Sequence, residues 1–222
     1  MRVFKIPEAT IMRLSVYSRF LTKVKKQGKV TISSNDIAKG AGVNSAQVRK
    51  DLSFFGEFGT RGVGYNVEEL EWDILKILGL TVEWNAALVG FGHLGHALAL
   101  HRGFQERGFN FTCIFDNDPL KIGTKLNDVE VLPLAKLEEV VAQNHTRIGV
   151  ISVPADAAQD IADSLVRAGV QAILNFAPVY LSVPQDIELR NVDLAVNLEV
   201  LTFYLEMHRQ GYSTERTPNL AK

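Results

Sequence analysis

Ala86-Ala87-Leu88-Val89 is a short apolar run that leads directly into Gly90-Phe91-Gly92-His93-Leu94-Gly95, and Ala97-Leu98-Ala99-Leu100 continues in helical composition. A strand, a G-x-G-x-x-G turn and a helix in immediate succession point to a βαβ unit that cradles the pyrophosphate of a dinucleotide. Gly90 makes the tight turn, Gly92 lets the backbone approach the phosphates, and Gly95 lets the helix lie close on the strand. The helix start adds unpaired N–H groups and partial positive charge, with His93 and Leu94 inside the same loop.

A second strand, Phe111 to Phe115, ends at Asp116, which lies 21 residues past Gly95. That is close to the ~20 residues at which such units place an acidic ribose acceptor. A carboxylate there accepts from ribose hydroxyls and repels a 2′-phosphate. No Arg follows, only Asn117 and Asp118. The expected cofactor is therefore NAD, as NADH and NAD⁺, with Asn117 and Lys121 grouped beside Asp116. Further strands recur in α/β rhythm: Ile148 to Val153, Ala172 to Phe176 and Val192 to Val196, with helices near 156–168 and 197–209. Alternating strands and helices make a doubly wound parallel sheet, whose ligands lie at the carboxyl ends of the strands. That rule adds Val153, Pro154, Asn175, Phe176, Ala177 and Pro178 to the cofactor group.

The charge is divided along the chain. The first 65 residues carry 12 basic side chains against 4 acidic ones, a net +8, and the remainder is net −9. Such a split suits a polyanion-binding module joined to an acidic one. Ile11, Leu14, Tyr17, Leu21 and Val24 recur at three- and four-residue steps along a helix from Ala9 to Gln27. Ser34 is placed to cap a short helix over 35–39, broken by Gly40 and Gly42, and Asn44 to cap another over 45–55. Two short helices around a Gly-containing turn form a helix-turn-helix pattern. In the last of these helices Val48, Leu52 and Phe55 face inward. The outer face leaves Ser45, Gln47, Arg49, Lys50 and Ser53 as candidates for contact with double-stranded DNA, being residue types that reach base edges and phosphates. Phe58 to Tyr65 is a Gly-rich turn between two expected short strands. It reads as a β wing, with Arg61 at its tip for the minor groove.

Composition excludes other classes. With 46% hydrophobic and 22% charged residues, the 222-residue chain is neither disordered throughout nor fibrous. No apolar run approaches the roughly 18 residues of a membrane helix, and the N-terminus lacks an apolar signal core. A cytoplasmic protein without membrane contact is expected. Cys113, alone, cannot form an internal disulfide and reads as a buried apolar residue. His93, His96 and His101 have no carboxylate or thiolate at ligand spacing, so no metal is expected.

A dehydrogenase needs a substrate site and an acid–base group. Only 26 residues follow Val196, and there is no Tyr-x-x-x-Lys pair. His101, expected a few turns into the first nucleotide-domain helix, would lie away from the phosphates. The expectation is a non-enzymatic sensor. The alternatives are an NAD-dependent dehydrogenase with an accessory DNA-binding domain and an interaction protein holding a purely structural dinucleotide. Leu198, Leu201, Phe203, Tyr204, Leu205 and Met207 make the last helix apolar around much of its circumference, so it requires burial. Exchange between protomers of a twofold dimer is one way to achieve that.

Val48-Arg49-Lys50-Asp51-Leu52-Ser53-Phe54-Phe55-Gly56, Gly59-Thr60-Arg61-Gly62-Val63-Gly64-Tyr65, Gly90-Phe91-Gly92-His93-Leu94-Gly95 and Ile173-Leu174-Asn175-Phe176-Ala177-Pro178 together resemble the bacterial Rex repressors over nearly the whole chain. The resemblance implies three parts: a winged-helix DNA-binding domain over 1–79, a Rossmann NAD(H)-binding domain over 80–196, and a domain-swapped C-terminal helix and tail over 197–222. It implies a homodimeric transcriptional repressor that senses the NADH/NAD⁺ ratio, holding operator DNA when NAD⁺ is abundant and releasing it when NADH binds. It also implies a switch in which Arg19 and Asp193 match two positions, while His101 stands where the family commonly has Tyr.

Overall fold

The computed structural model describes residues 6–60 and 62–212, so Arg61 lies outside the described residues. The chain divides into two compact units between Thr81 and Val82.

The first unit is built on α1 (Glu8–Lys26), β1 (Thr31–Ile32), α2 (Ser34–Ala41), α3 (Ser45–Ser53), β2 (Tyr65–Asn66) and α4 (Val67–Ile77). Leu14, Tyr17, Leu21, Ile37, Val48 and Ile74 are fully buried at its centre. Ile11, expected on the inner face of α1, is instead exposed, and Thr10 is buried in that face. The start of α2 is capped by Ser33 rather than Ser34. The Ser33 hydroxyl accepts from Asp36 N–H, and Asp36 accepts in return from Ser33 N–H. This reciprocal cap satisfies two N–H groups that the helix leaves unpaired. Gly40 does not break α2. A Cβ there would collide with the Phe20 ring, so glycine permits close packing on α1, and the helix ends at Gly42 in the left-handed region. Asn44 caps α3 by accepting from Gln47 N–H at 2.8 Å. Glu71 of α4 accepts from the Thr22 hydroxyl at 2.5 Å and pairs with Lys25 at 3.2 Å, tying α4 to α1.

The wing differs in detail from a plain two-stranded hairpin. Its turn is closed by one bridge, in which Thr60 and Gly64 exchange backbone hydrogen bonds of 2.9 and 3.0 Å. The strand that follows, β2, pairs antiparallel with β1. A Cβ on Gly64 would lie 2.5 Å from the Ile32 carbonyl, so that crossing requires glycine.

The second unit contains β3 (Trp84–Val89), α5 (His93–Ala99), α6 (Arg102–Gln105), β4 (Phe109–Asp116), β5 (Lys125–Leu126), β6 (Val129–Pro133), α7 (Leu137–Gln143), β7 (Ile148–Ile151), α8 (Ala155–Arg167), β8 (Ala172–Asn175), β9 (Glu188–Asn191) and α9 (Leu194–Arg209). The sheet order is β5-β6-β4-β3-β7-β8-β9, parallel except for the β5–β6 pair. Without β5, the parallel strands follow the doubly wound order 3-2-1-4-5-6, with the switch point between β3 and β7. One apolar layer includes Val89, Phe115, Ile151 and Leu165, and the other Leu88, Ile114 and Val150.

Two further expectations need correction. The last strand is Glu188–Asn191, not Val192 to Val196, and α9 starts at Leu194. Asp193 decides this, because its carboxylate accepts from Ala195 N–H at 2.9 Å and Val196 N–H at 3.4 Å, starting a helix where the apolar alternation suggested a strand. The helix after the glycine loop stops at Ala99, so His101 is not within it. His101 precedes the separate four-residue α6, with its ring edge-on to Phe104 at 5.2 Å. Residues 117–147, left unread beyond Asn117 and Lys121, supply β5, β6 and α7. No helix among the described residues is long and apolar enough to cross a membrane.

Candidate functional site

The glycine loop leaves β3 at the switch point. Gly90 has φ +96°, and a Cβ there would stand 2.6 Å from the Ser152 carbonyl. A Cβ on Gly95 would collide with the Gly90 carbonyl, so only glycine lets α5 start this close to the strand. Around Gly92 an added Cβ would meet nothing within 4 Å, which leaves the backbone open to a ligand. The Ser152 hydroxyl donates to the Gly90 carbonyl at 2.8 Å and ties the loop to the end of β7.

Asp116 is buried at the end of β4. Its carboxylate accepts from Phe91 N–H at 2.6 Å, Asp118 N–H at 2.8 Å and the Lys121 ammonium at 3.1 Å. Burial alone pushes this carboxyl up; the two backbone donors and Lys121 outweigh it and hold it below the usual carboxylate range. A carboxylate offers about four acceptor positions, so three donors leave room for one more. Asp116 thus holds the glycine loop and still has acceptor capacity to spare.

A cleft of about 540 Å³ opens above these strand ends. It brings together nine of the fourteen expected cofactor residues: Gly90, Gly92, His93, Leu94, Asp116, Asn117, Lys121, Val153 and Pro154. Gly95 lies beneath it. Ser152, Leu134, Ala157 and Ile161 also line it, and sequence reasoning missed all four. Leu134 lies in the unread segment, and Ala157 and Ile161 lie on the face of α8 that read only as apolar packing. The expected residues from the β8 end go elsewhere. Ala177 and Pro178 line a second cleft of about 420 Å³ with Tyr180, Asn191, Asp193, Val196 and Asn197. The Asn175 side chain is fully buried. Its amide donates to the carbonyls of Ala177 and Val179 and to Asn191 Oδ1, and its own oxygen accepts from Ala177 N–H at 2.9 Å. It shapes the loop that carries Ala177 and Pro178. Phe176 packs against the apolar layer of Leu88 and Ile114. No three metal-ligating side chains converge among the described residues.

On the first unit, α3 turns Val48 and Leu52 inward and leaves Ala46, Arg49, Lys50 and Ser53 exposed. Arg49 donates to the Ser34 hydroxyl at 3.0 Å, and the Ser53 hydroxyl donates to the Lys50 carbonyl at 2.8 Å. Ser45, at the first turn, and Gln47 are half-buried. A groove of about 610 Å³ between this face and the wing is lined by Ser33, Ser34, Arg49, Thr60 and Gly62 among others. Arg19 is exposed on α1.

Beneath α3 lies a cluster that sequence reasoning did not find. Asp51 is fully buried. It accepts from Arg13 Nε and Nη2, each at 2.6 Å, from the Tyr17 hydroxyl at 2.8 Å and from the Thr10 hydroxyl at 3.1 Å. Gln47 Nε2 donates to the same carboxylate at 2.8 Å. Burial raises the Asp51 carboxyl; the bonds from Arg13, Tyr17 and Gln47 outweigh it and bring it below the ordinary range. The one available signal was Arg13, a cation at an inner position of α1.

A winged helix-turn-helix unit joined to a doubly wound unit with a dinucleotide-type cleft defines a DNA-binding regulator that carries its own nucleotide site. Residues 5–53 match the family "Putative DNA-binding protein N-terminus", and residues 81–179 match "CoA binding domain". The chain is 67% identical over 209 residues to the redox-sensing transcriptional repressor Rex of Desulfitobacterium hafniense, covering 94% of this chain and all of that protein. It is 63% identical to Rex of Carboxydothermus hydrogenoformans, over 91% of this chain and 98% of that one. The chain belongs to the Rex family of redox-sensing transcriptional repressors. Among solved structures, RSP in complex with β-NAD⁺ and operator DNA matches with a TM-score of 0.89 and 42% identity, over 92% of this chain and 94% of that one. RSP in complex with β-NADH matches with a TM-score of 0.83 and 40% identity, over 93% of this chain and 97% of that one.

Proposed function

We propose that this protein is a transcriptional repressor that follows the NADH/NAD⁺ ratio, holding operator DNA as a homodimer and releasing it when NADH binds. It acts in the cytoplasm, where the operator is, and without turning over a substrate. One observation carries the reading: the likeness to RSP, which spans both units, extends to a structure with NAD⁺ and operator DNA and to one with NADH.

In this reading residues 1–79 bind DNA, with Ser45, Gln47, Arg49, Lys50 and Ser53 in the major groove and Arg61 in the minor groove. Residues 80–196 hold the cofactor. Gly90, Gly92, Gly95, His93 and Leu94 border the pyrophosphate. Asp116, with Asn117 and Lys121, borders the adenosine ribose. Val153 and Pro154 form a wall, and the loop of Ala177 and Pro178, which Asn175 shapes from within, lies on the nicotinamide side. The open backbone at Gly92 and the acceptor capacity left on Asp116 fit that group. The nicotinamide ring is positively charged only when oxidised, so the two redox forms differ in charge at the pocket. The last helix, α9, exchanges between protomers, and Arg19, His101 and Asp193 each take part in the switch.

NADH can release DNA only through a difference in affinity for two dimer states. The favoured state under NADH is a closed dimer whose α3 helices no longer match adjacent major grooves. Selection from random duplexes at fixed salt, with NAD⁺ and then with NADH, tests this. Enrichment of a palindromic site with NAD⁺ and its loss with NADH is expected. Equal affinity in both conditions sinks the sensor reading, and turnover of a hydroxy- or oxo-substrate would replace it with an enzyme.

A further inference from the structure

Gln47 stands on the outer half of α3, yet its amide is committed inward. Nε2 donates to Asp51 Oδ1 at 2.8 Å, one helical turn away. The carboxylate is fully buried and also receives the Arg13 fork, the Tyr17 hydroxyl and the Thr10 hydroxyl. An ionised carboxylate only accepts hydrogen bonds. The amide therefore has one permitted orientation, with NH₂ toward Asp51 and the carbonyl away from it. Among the described residues Gln47 Oε1 has no hydrogen-bond partner, and it is not among the buried polar atoms lacking one, so it keeps contact with solvent. An unrestrained glutamine has no such polarity, because rotating its terminal amide exchanges donor and acceptor.

We infer that Asp51, held by Arg13 and Tyr17, is a positioning residue for sequence readout: it fixes Gln47 with its carbonyl outward, so that Gln47 selects a base presenting an amino group in the major groove. In the major groove adenine N6 and cytosine N4 donate, whereas guanine O6 and thymine O4 only accept. An outward carbonyl is satisfied by the first pair and repelled by the second. The same device rigidifies α3, since the buried carboxylate joins it to α1.

This rests on α3 being the DNA-reading helix, and the experiment separates the two. Duplexes are selected from a random pool at fixed salt with NAD⁺, using the full-length wild type, Gln47→Ala and Asp51→Asn. Absence of any enriched site with the wild type refutes the DNA-binding reading itself, and this inference with it. Given an enriched site, Gln47→Ala should lose about tenfold of discrimination at one position per half-site, a position where the wild type selects adenine or cytosine. Folded Asp51→Asn, checked by its thermal melt, should relax the same position. Replacing the adenine or cytosine of that base pair by its analogue without the amino group should weaken wild-type binding; unchanged wild-type binding to that duplex overturns the proposal, as does an unchanged profile in Gln47→Ala or in folded Asp51→Asn. Should Asp51→Asn fail to fold, side-chain amide exchange in the wild type decides the role of Asp51. A Gln47 NH₂ protected from exchange supports it, and exchange at the rate of a free glutamine overturns it.

Discussion

At the residue scale, buried side chains carry the chemistry of both units. Asp51 and Asp116 are held charged inside the fold, each below the value of an unfolded aspartate, about 3.9. A folded value below the unfolded one adds stability that is present above about pH 4 and lost as pH falls through the folded value. Thermal melts of the full chain should therefore hold steady from pH 7 to 5 and fall steeply below 4. Asp51→Asn should flatten part of that fall. Asp116→Ala removes an anchor of the glycine loop as well as the proposed ribose acceptor. Calorimetry should show NADH binding weakened by about tenfold or more, and unchanged affinity would remove Asp116 from the site. Cys113 is 1% exposed, and burial pushes its thiol up. A thiol reagent should leave it unmodified in the native protein and modify one cysteine after unfolding. These roles were unevenly legible. Asp116 stood out by its spacing from the glycines. Asp51 did not, because its partners Arg13 and Tyr17 are 38 and 34 residues away in the chain.

At the element scale, close approach sets where each segment can go. The loop from β3 to α5 passes through Gly90 and Gly95, and a methyl group on Gly95 would meet the Gly90 carbonyl. Gly95→Ala should displace the start of α5 and reduce NADH affinity by at least tenfold, measured by calorimetry, while the melt of the first unit stays in place. The glycine loop, the helix-turn-helix and the α/β rhythm were readable because each is a local pattern of turn residues and apolar period. The last strand and α9 were misassigned. Val192, Leu194 and Val196 alternate as a strand does, and the capping bonds of Asp193 override that alternation.

At the scale of the whole molecule, α9 is the decisive piece. None of its residues is buried within the chain, and Leu198, Leu201, Phe203 and Leu205 are more than half exposed. An apolar surface of that kind is unstable in water without a partner. Phe203→Glu with Leu201→Glu should convert the proposed homodimer to a monomer by light scattering. It should also abolish operator binding, since one half-site contributes only part of the affinity. A dimer that persists would remove α9 from the interface.

By its own pattern the amino-acid chain specified a basic DNA-reading unit and a dinucleotide unit, because charge balance, glycine spacing and apolar periodicity act over a few residues at a time. Only the folded molecule determined that Asp51 holds Gln47, that Ser152 and Ile161 complete the cleft, and that Asn175 shapes its loop instead of facing the cleft. Those contacts join residues from distant stretches, and burial, which decides whether a polar group must find a partner, exists only once the chain has closed around it.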